Sequence, residues 1–228
     1  MLAKKKKISK KEMKEDKLVT LYYNSMQYFE KYQKQILIGV AAVAAAGLLV
    51  YFYITNNQTK NTEASKSLAK IIDIYEAGMF NEAIEGRPGT DNKGLKYIAE
   101  EFGGSENGET ARIYLANSYY NIGDIDKALE QYEDYSGDNE MFSAAAYSGM
   151  AACYVEKKDY QKAAEYFIKA SKVNSTNPQN SAYLLEAGIN YLKIGDKESA
   201  KEALNTIKEE HKTTQEFTLA DRYLAQCI

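Results

Sequence analysis

Tryptophan is absent from this 228-residue chain, and proline, cysteine and histidine nearly are: Pro88 and Pro178, Cys153 and Cys227, and His211 are all it holds. Each scarcity excludes something. Proline removes an N–H donor and clashes with the preceding turn, so two prolines leave helices almost uninterrupted. Two cysteines without a CxxC spacing, beside one histidine, cannot make a four-ligand zinc set. A disulfide between them is compatible with the count, but nothing in the spacing requires it. Aromatic surface comes instead from 20 tyrosines, whose rings fill holes between packed helices while their hydroxyls reach the surface. An all-α chain follows.

Charge is near balance overall and strongly unbalanced locally. Residues 1–34 hold ten lysines against Glu12, Glu15, Asp16 and Glu30, a surplus of six; with −3 for the whole chain, the remainder carries −9. Phosphate contacts need clustered Lys and Arg on the folded surface, so the acidic remainder argues against nucleic acid as a partner.

From Ile36 to Ile54 run nineteen residues without a charge or a strong hydrogen-bonding group, ending in Tyr51, Phe52 and Tyr53. At about 1.5 Å per residue they span roughly 28 Å, close to the ~30 Å hydrocarbon core of a bilayer. Lys31 and Lys34 flank one end, Asn56, Asn57 and Gln58 the other, and the aromatics suit an interfacial belt. Residues 35–55 are therefore assigned as a transmembrane anchor. Lysine-rich flanks stay in the cytoplasm, which predicts a single pass with the N-terminus inside and everything after residue 55 outside the cytoplasm. Two other readings compete, a cleaved signal peptide and an alanine-rich core helix of a soluble protein. The seven apolar residues after Gly47 and the long basic region speak against cleavage.

Before the anchor, residues 1–34 read as a basic cytoplasmic tail and an amphipathic helix. Leu18, Leu21, Tyr22, Met26, Phe29 and Tyr32 fall at three-to-four spacing among lysines, a pattern for a helix on a lipid surface.

After the anchor the chain matches itself. Tyr119 to Ala128, Tyr154 to Ala163 and Tyr191 to Ala200 superpose, with the alanines 35 and 37 residues apart. Small residues recur at Ala116, Ala151 and Gly188 and at Ala128, Ala163 and Ala200. Bulky ones recur at Leu115, Met150 and Ala187, at Tyr119, Tyr154 and Tyr191, and at Tyr132, Phe167 and Leu204, Ala187 being the exception in size. This grammar resembles the tetratricopeptide repeat, a 34-residue helix-turn-helix unit. Three such repeats are placed at 109–212, after a degenerate first repeat and connector helix at 56–108 and before a capping helix at 213–228. The fold class is thus a transmembrane helix followed by a helical-hairpin solenoid. Two departures stand out. Tyr135 and Ile207 occupy a usual alanine position, and Arg112 replaces a large apolar residue, which predicts loose packing of the first regular repeat.

Catalytic and cofactor chemistry has little to rest on. Gly89 to Gly94 resembles the start of a phosphate loop, but Leu95 and Lys96 stand where Lys and Ser or Thr are required. Asp124 and Asp126 resemble a calcium loop, yet Tyr135 takes its last ligand position. His211 reads as a surface residue. No enzyme activity, cofactor or metal is predicted.

Repeat arrays instead offer a concave groove lined by the first helix of each pair. Here it is assigned to Ile113, Asn117, Tyr120 and Asn121, then Ser148, Ala152, Val155 and Glu156, then Leu185, Ile189, Leu192 and Lys193. The surface is apolar and weakly charged, suited to a hydrophobic or extended peptide segment rather than a C-terminal carboxylate. Filling of the groove by the chain's own terminal helix is the competing expectation.

The order of elements over roughly residues 18–228 resembles the YfgM family of bacterial membrane-anchored repeat proteins. The likeness rests on the aromatic pre-anchor helix, the anchor, the segment Tyr97-Ile98-Ala99-Glu100-Glu101-Phe102 leading to Ala111-Arg112-Ile113-Tyr114-Leu115-Ala116, and the regular repeats. That resemblance implies an ancillary Sec translocon subunit in the inner membrane, chaperone-like, meeting unfolded exported clients and periplasmic chaperones. An envelope adaptor organising division, secretion or outer-membrane assembly is the alternative, and a eukaryotic organelle receptor with cytosolic repeats a third.

Overall fold

The structure, a computed structural model, describes the backbone from residue 10 and side chains from residue 17. The basic tail predicted at residues 1–9 lies outside the described residues. Two compact units divide the chain, residues 1–55 and 56–228.

Helix α1 runs from Lys10 to Glu76 without interruption. In the first unit it carries the apolar run, and this is the one helix among the described residues long and apolar enough to cross a membrane. None of that window is buried, so the run is not the core helix of a soluble fold. Ser25 and Thr55 satisfy their hydroxyls on the carbonyls of Leu21 and Tyr51, at 2.7 and 2.9 Å, which removes two exposed donors from the helix surface. Its helical assignment is unbroken through residue 34.

The second unit is all helix among its described elements. The end of α1 is followed by α2 (Phe80–Glu85), α3 (Leu95–Glu101), α4 (Glu106–Asn121), α5 (Ile125–Glu133), α6 (Glu140–Glu156), α7 (Tyr160–Val173), α8 (Asn180–Lys193), α9 (Lys197–Glu210) and α10 (Gln215–Leu224). The pairs α4/α5, α6/α7 and α8/α9 are the three regular repeats, and the linker before α8 ends at Gln179, with Asn180 already helical.

Their turns share one construction. The N–H groups of Gly123, Lys158 and Gly195 donate to the carbonyls of Tyr120, Val155 and Leu192 at 3.0, 2.9 and 3.0 Å, and the next residue donates one position further back. Those three residues hold left-handed φ of 83°, 62° and 77°, the geometry that ends a helix by satisfying its orphan carbonyls. The following aspartates cap the second helix. Asp124, Asp159 and Asp196 accept from the N–H groups of Lys127, Lys162 and Ser199 at 3.3, 3.2 and 3.1 Å. The same turn appears upstream, where Gly78 (φ 74°) donates to Tyr75 and Met79 to Ile74. Methionine cannot cap, and α2 starts without a side-chain partner and lasts six residues.

Small residues sit where helices approach. Ala116, Ala128, Ala151, Ala163 and Ala200 are wholly buried. At Gly188 a Cβ would come within 2.8 Å of Leu204 Cγ, so the bulky knob of α9 occupies the space that glycine vacates. Two apolar cores result, one from the end of α1 to Cys153, the other from Ala151 to Ala220. Arg112 is not a loose point. Its guanidinium donates to Ala99 O at 3.2 Å and Gln131 Oε1 at 3.1 Å and pairs with Glu109, tying α3, α4 and α5 together. Helix α10 packs on α8 and α9 with Ala220 fully buried. Ser181 Oγ donates to Glu216 and Lys208 Nζ pairs with Asp221, fixing that end.

Candidate protein-binding groove

The twelve residues assigned to the groove fall into three groups. Ile113 and Leu185 are 3% and 8% exposed and belong to the two separate cores, so they hold helices together. Asn117, Tyr120, Ser148, Ala152, Val155, Ile189 and Leu192 are half-buried, and Asn121, Glu156 and Lys193 are exposed. Side chains that are partly covered by their own repeat and partly open form an apolar surface without leaving it loose in water.

Asn117 is engaged on both sides. Its amide donates to the Tyr75 hydroxyl at 3.4 Å, and its carbonyl oxygen accepts from the Tyr132 hydroxyl. Asn121 in turn donates to the Asn117 backbone carbonyl at 2.7 Å. One asparagine thereby joins α1, α4 and α5. Burial raises the Tyr75 and Tyr132 phenols above their ordinary value, keeping both as neutral donors and acceptors.

Tyr75 was not among the residues assigned from sequence. Its turn residue Gly78 occupies the place of Gly123, Lys158 and Gly195, which puts Tyr75 in register with Tyr120, Val155 and Leu192. Aligning that glycine would have found it. The Tyr75 ring meets Tyr114 edge-on at 4.8 Å and Phe80 at 5.7 Å, so it is fixed by packing as well.

Tyr120 and Glu156 come together across α4 and α6. Burial raises the Tyr120 phenol, and the Glu156 carboxylate raises it further, so the hydroxyl stays protonated beside an anion. Lys193 turns the other way. Its ammonium lies 4.7 Å from the Tyr160 ring centre and 3.4 Å from Asn190 Oδ1, a cation–π seat on α7. Cys153 is wholly buried and its thiol is pushed up to about 12, chiefly by burial.

His211 is half-buried at the end of α9 and lines a separate cleft of about 540 Å³ with Ser171, Asn180, Ser199, Glu202 and Thr206. That cleft opens between α7, α8 and α9, away from the row just described.

Crystal structures of tetratricopeptide-type proteins share this architecture. Two structures of nearly identical TPR-like repeats, from a Podosopora anserina protein assigned as a kinesin light chain, each superpose with a TM-score of 0.55 at 16% identity. Each match covers 73% of this chain and 85% or 86% of theirs. A tetratricopeptide repeat protein of Parabacteroides merdae gives 0.56 at 18% identity, over 73% of this chain and 60% of its own. No curated protein sequence matches. The family profile described as a tetratricopeptide repeat-like domain matches residues 26–203, a stretch that includes the apolar run as well as most of the solenoid. Stacked repeats of this kind present an extended concave surface to other proteins. With more than half of its length matched, and with its turns and helix pairs built alike, this chain belongs to the tetratricopeptide repeat-like domain family.

Proposed function

We propose that the protein is a membrane-tethered binding module whose groove holds apolar, extended segments of exported proteins beside a Sec-type channel. The observation that carries this reading is the row Tyr75, Tyr120, Val155 and Leu192, with Ala152 and Ile189 beside it. These side chains are partly covered, apolar for most of their surface, and repeated at one position of successive first helices. Such a row offers pockets spaced along a strand-like peptide and places few charges that would select a carboxylate. The single apolar helix supplies the tether, and the lysine surplus before it supports a cytoplasmic N-terminus with the repeats outside. Tethering beside an exit site raises the effective concentration of weakly bound chains without requiring high affinity. The resemblance to the YfgM family of ancillary translocon subunits points the same way, towards unfolded clients passed on to periplasmic chaperones.

Photo-crosslinking from Tyr120 and Leu192 in native membranes tests the proposal. Many secretory chains together with the channel are the expected adducts; one folded partner without the channel would replace this reading with an envelope adaptor. Orientation has its own test. An impermeant thiol reagent should reach Cys153 and Cys227 in intact cells after mild unfolding, and labelling that requires lysis would reverse the topology.

A further inference from the structure

The row Tyr75, Tyr120, Val155 and Leu192 is followed, one residue on, by a second row: Glu76, Asn121, Glu156 and Lys193. All four are exposed, and each stands four residues past a partly covered member of the same helix face, Ile72, Asn117, Ala152 and Ile189. The apolar row is thus edged by polar groups, and their chemistry runs one way. Asn121 turns its amide nitrogen to the Asn117 carbonyl at 2.7 Å, which leaves its side-chain oxygen to accept. Glu76 and Glu156 enter no ion pair among the described residues, and Glu156 has only the Tyr120 hydroxyl beside it across α4 and α6. Lys193 is the one cation of the row, and its ammonium is held 4.7 Å from the Tyr160 ring centre and 3.4 Å from Asn190 Oδ1.

Three acceptors, two of them anionic, therefore border the apolar row, while the cation that would offset them is seated on α7. Residues 56–228 as a whole set 28 carboxylates against 19 Lys and Arg, so the field of the repeat unit has the same sign as this edge. A bound segment with an acidic residue meets like charge there, and one without charge gives the carboxylates nothing. Lys or Arg supplies N–H donors alone and answers all three groups. Its aliphatic stem lies along apolar surface while the charged head reaches past it, so one side chain can cover the row and meet the edge.

We infer that the groove selects extended apolar segments that carry Lys or Arg, read by Glu76, Asn121 and Glu156, and turns away acidic ones. This deepens the binding reading above and rests on it. Charges at the edge of an interface set the choice of partner and the rate of encounter more than the affinity, which suits a module that takes many chains weakly.

One experiment separates failure of the selection from failure of the groove. The full chain is placed in nanodiscs of phosphatidylcholine, and binding over empty discs is read by fluorescence anisotropy. The probes are dye-labelled peptides of one extended, Val- and Leu-rich sequence with a Gly-Ser tail, differing only in whether two central positions are lysine, glutamine or glutamate. The lysine peptide should bind about tenfold tighter than the glutamate peptide, with glutamine between them. Glu76→Lys together with Glu156→Lys should invert that order. Glu209→Lys together with Glu210→Lys changes the net charge equally at exposed positions of α9 and should leave the order intact. Equal binding of the three peptides, an order that persists in the Glu76 and Glu156 variant, or an equal shift in the α9 variant would overturn the selection alone. Failure of all three peptides to bind would overturn the groove reading, and with it the selection.

Discussion

Glu109 and Arg112 face each other one turn apart on α4, 3.4 Å from carboxylate oxygen to Nε, with side chains only 4% and 15% exposed. The carboxylate does more than pair. Its two oxygens accept the N–H groups of Gly104, before α4, and Ser136, after α5, each at 2.9 Å. An arginine at a usually apolar position is thus half of a polar clamp that pins both ends of the first regular repeat.

Breaking a buried pair leaves the other charge stranded, which costs more than the pair itself contributes. Glu109→Gln should lower unfolding free energy by about 3 kcal/mol, measured by urea titration of the helical signal. A loss below about 1 kcal/mol would mean the clamp is slack, as an exposed pair would be.

Lys158 holds φ 62° where the equivalent turns have glycine at 83° and 77°. A side chain in that region costs roughly 1–2 kcal/mol, and glycine gives part of this back as unfolded-chain entropy. Lys158→Gly should therefore stabilise by about 0.5–1 kcal/mol, and Gly123→Ala should destabilise by about 1 kcal/mol. Opposite signs in a thermal melt are the readout.

Gly188 makes room for Leu204, which is wholly buried. Gly188→Ala overpacks the contact between α8 and α9 and should cost about 1–3 kcal/mol. Shortening the knob should restore space, so Leu204→Val costs less in the Gly188→Ala background than in the parent. Strict additivity in a double-mutant cycle would show that the two do not meet.

Alkaline pH should weaken the fold through Cys153. Its thiol holds a proton to about 12 in the folded chain, against 9.0 when unfolded. Below about 9 both states carry the proton and stability is unaffected. As pH rises from there, the unfolded chain binds fewer protons than the folded one, so stability falls. Tyr132, whose phenol burial also raises, acts in the same direction above 10.0. Cys153→Ala should flatten the decline between pH 9 and 10, and an unchanged slope would assign it elsewhere. The same burial predicts that Cys153 reacts with iodoacetamide only on unfolding.

Much of this protein is legible in local patterns. The apolar run, the three turns with their aspartate caps and the alanines of the helix crossings are each specified within a few residues, because hydrogen bonds at a turn and the period of a helix are settled by near neighbours. The degenerate repeat yields to the same logic once Gly78 is aligned with Gly123. Arg112 resisted it. Position within the repeat marked it as a defect, and its partners at 99, 109 and 131 lie on three helices.

The candidate groove divides along the same line. Periodicity on the first helices assigned its residues to one face. Whether a residue on that face turns into the core, as Ile113 and Leu185 do, or is claimed by neighbours, as Asn117 is by Tyr75 and Tyr132, depended on how closely neighbouring repeats approach. Short-range order is written into the order of the amino acids, since each helix and cap answers to residues within a turn. The pairing of residues 75, 117 and 132 belongs to the folded molecule alone, because its geometry exists only after the stacked helices have fixed their distance.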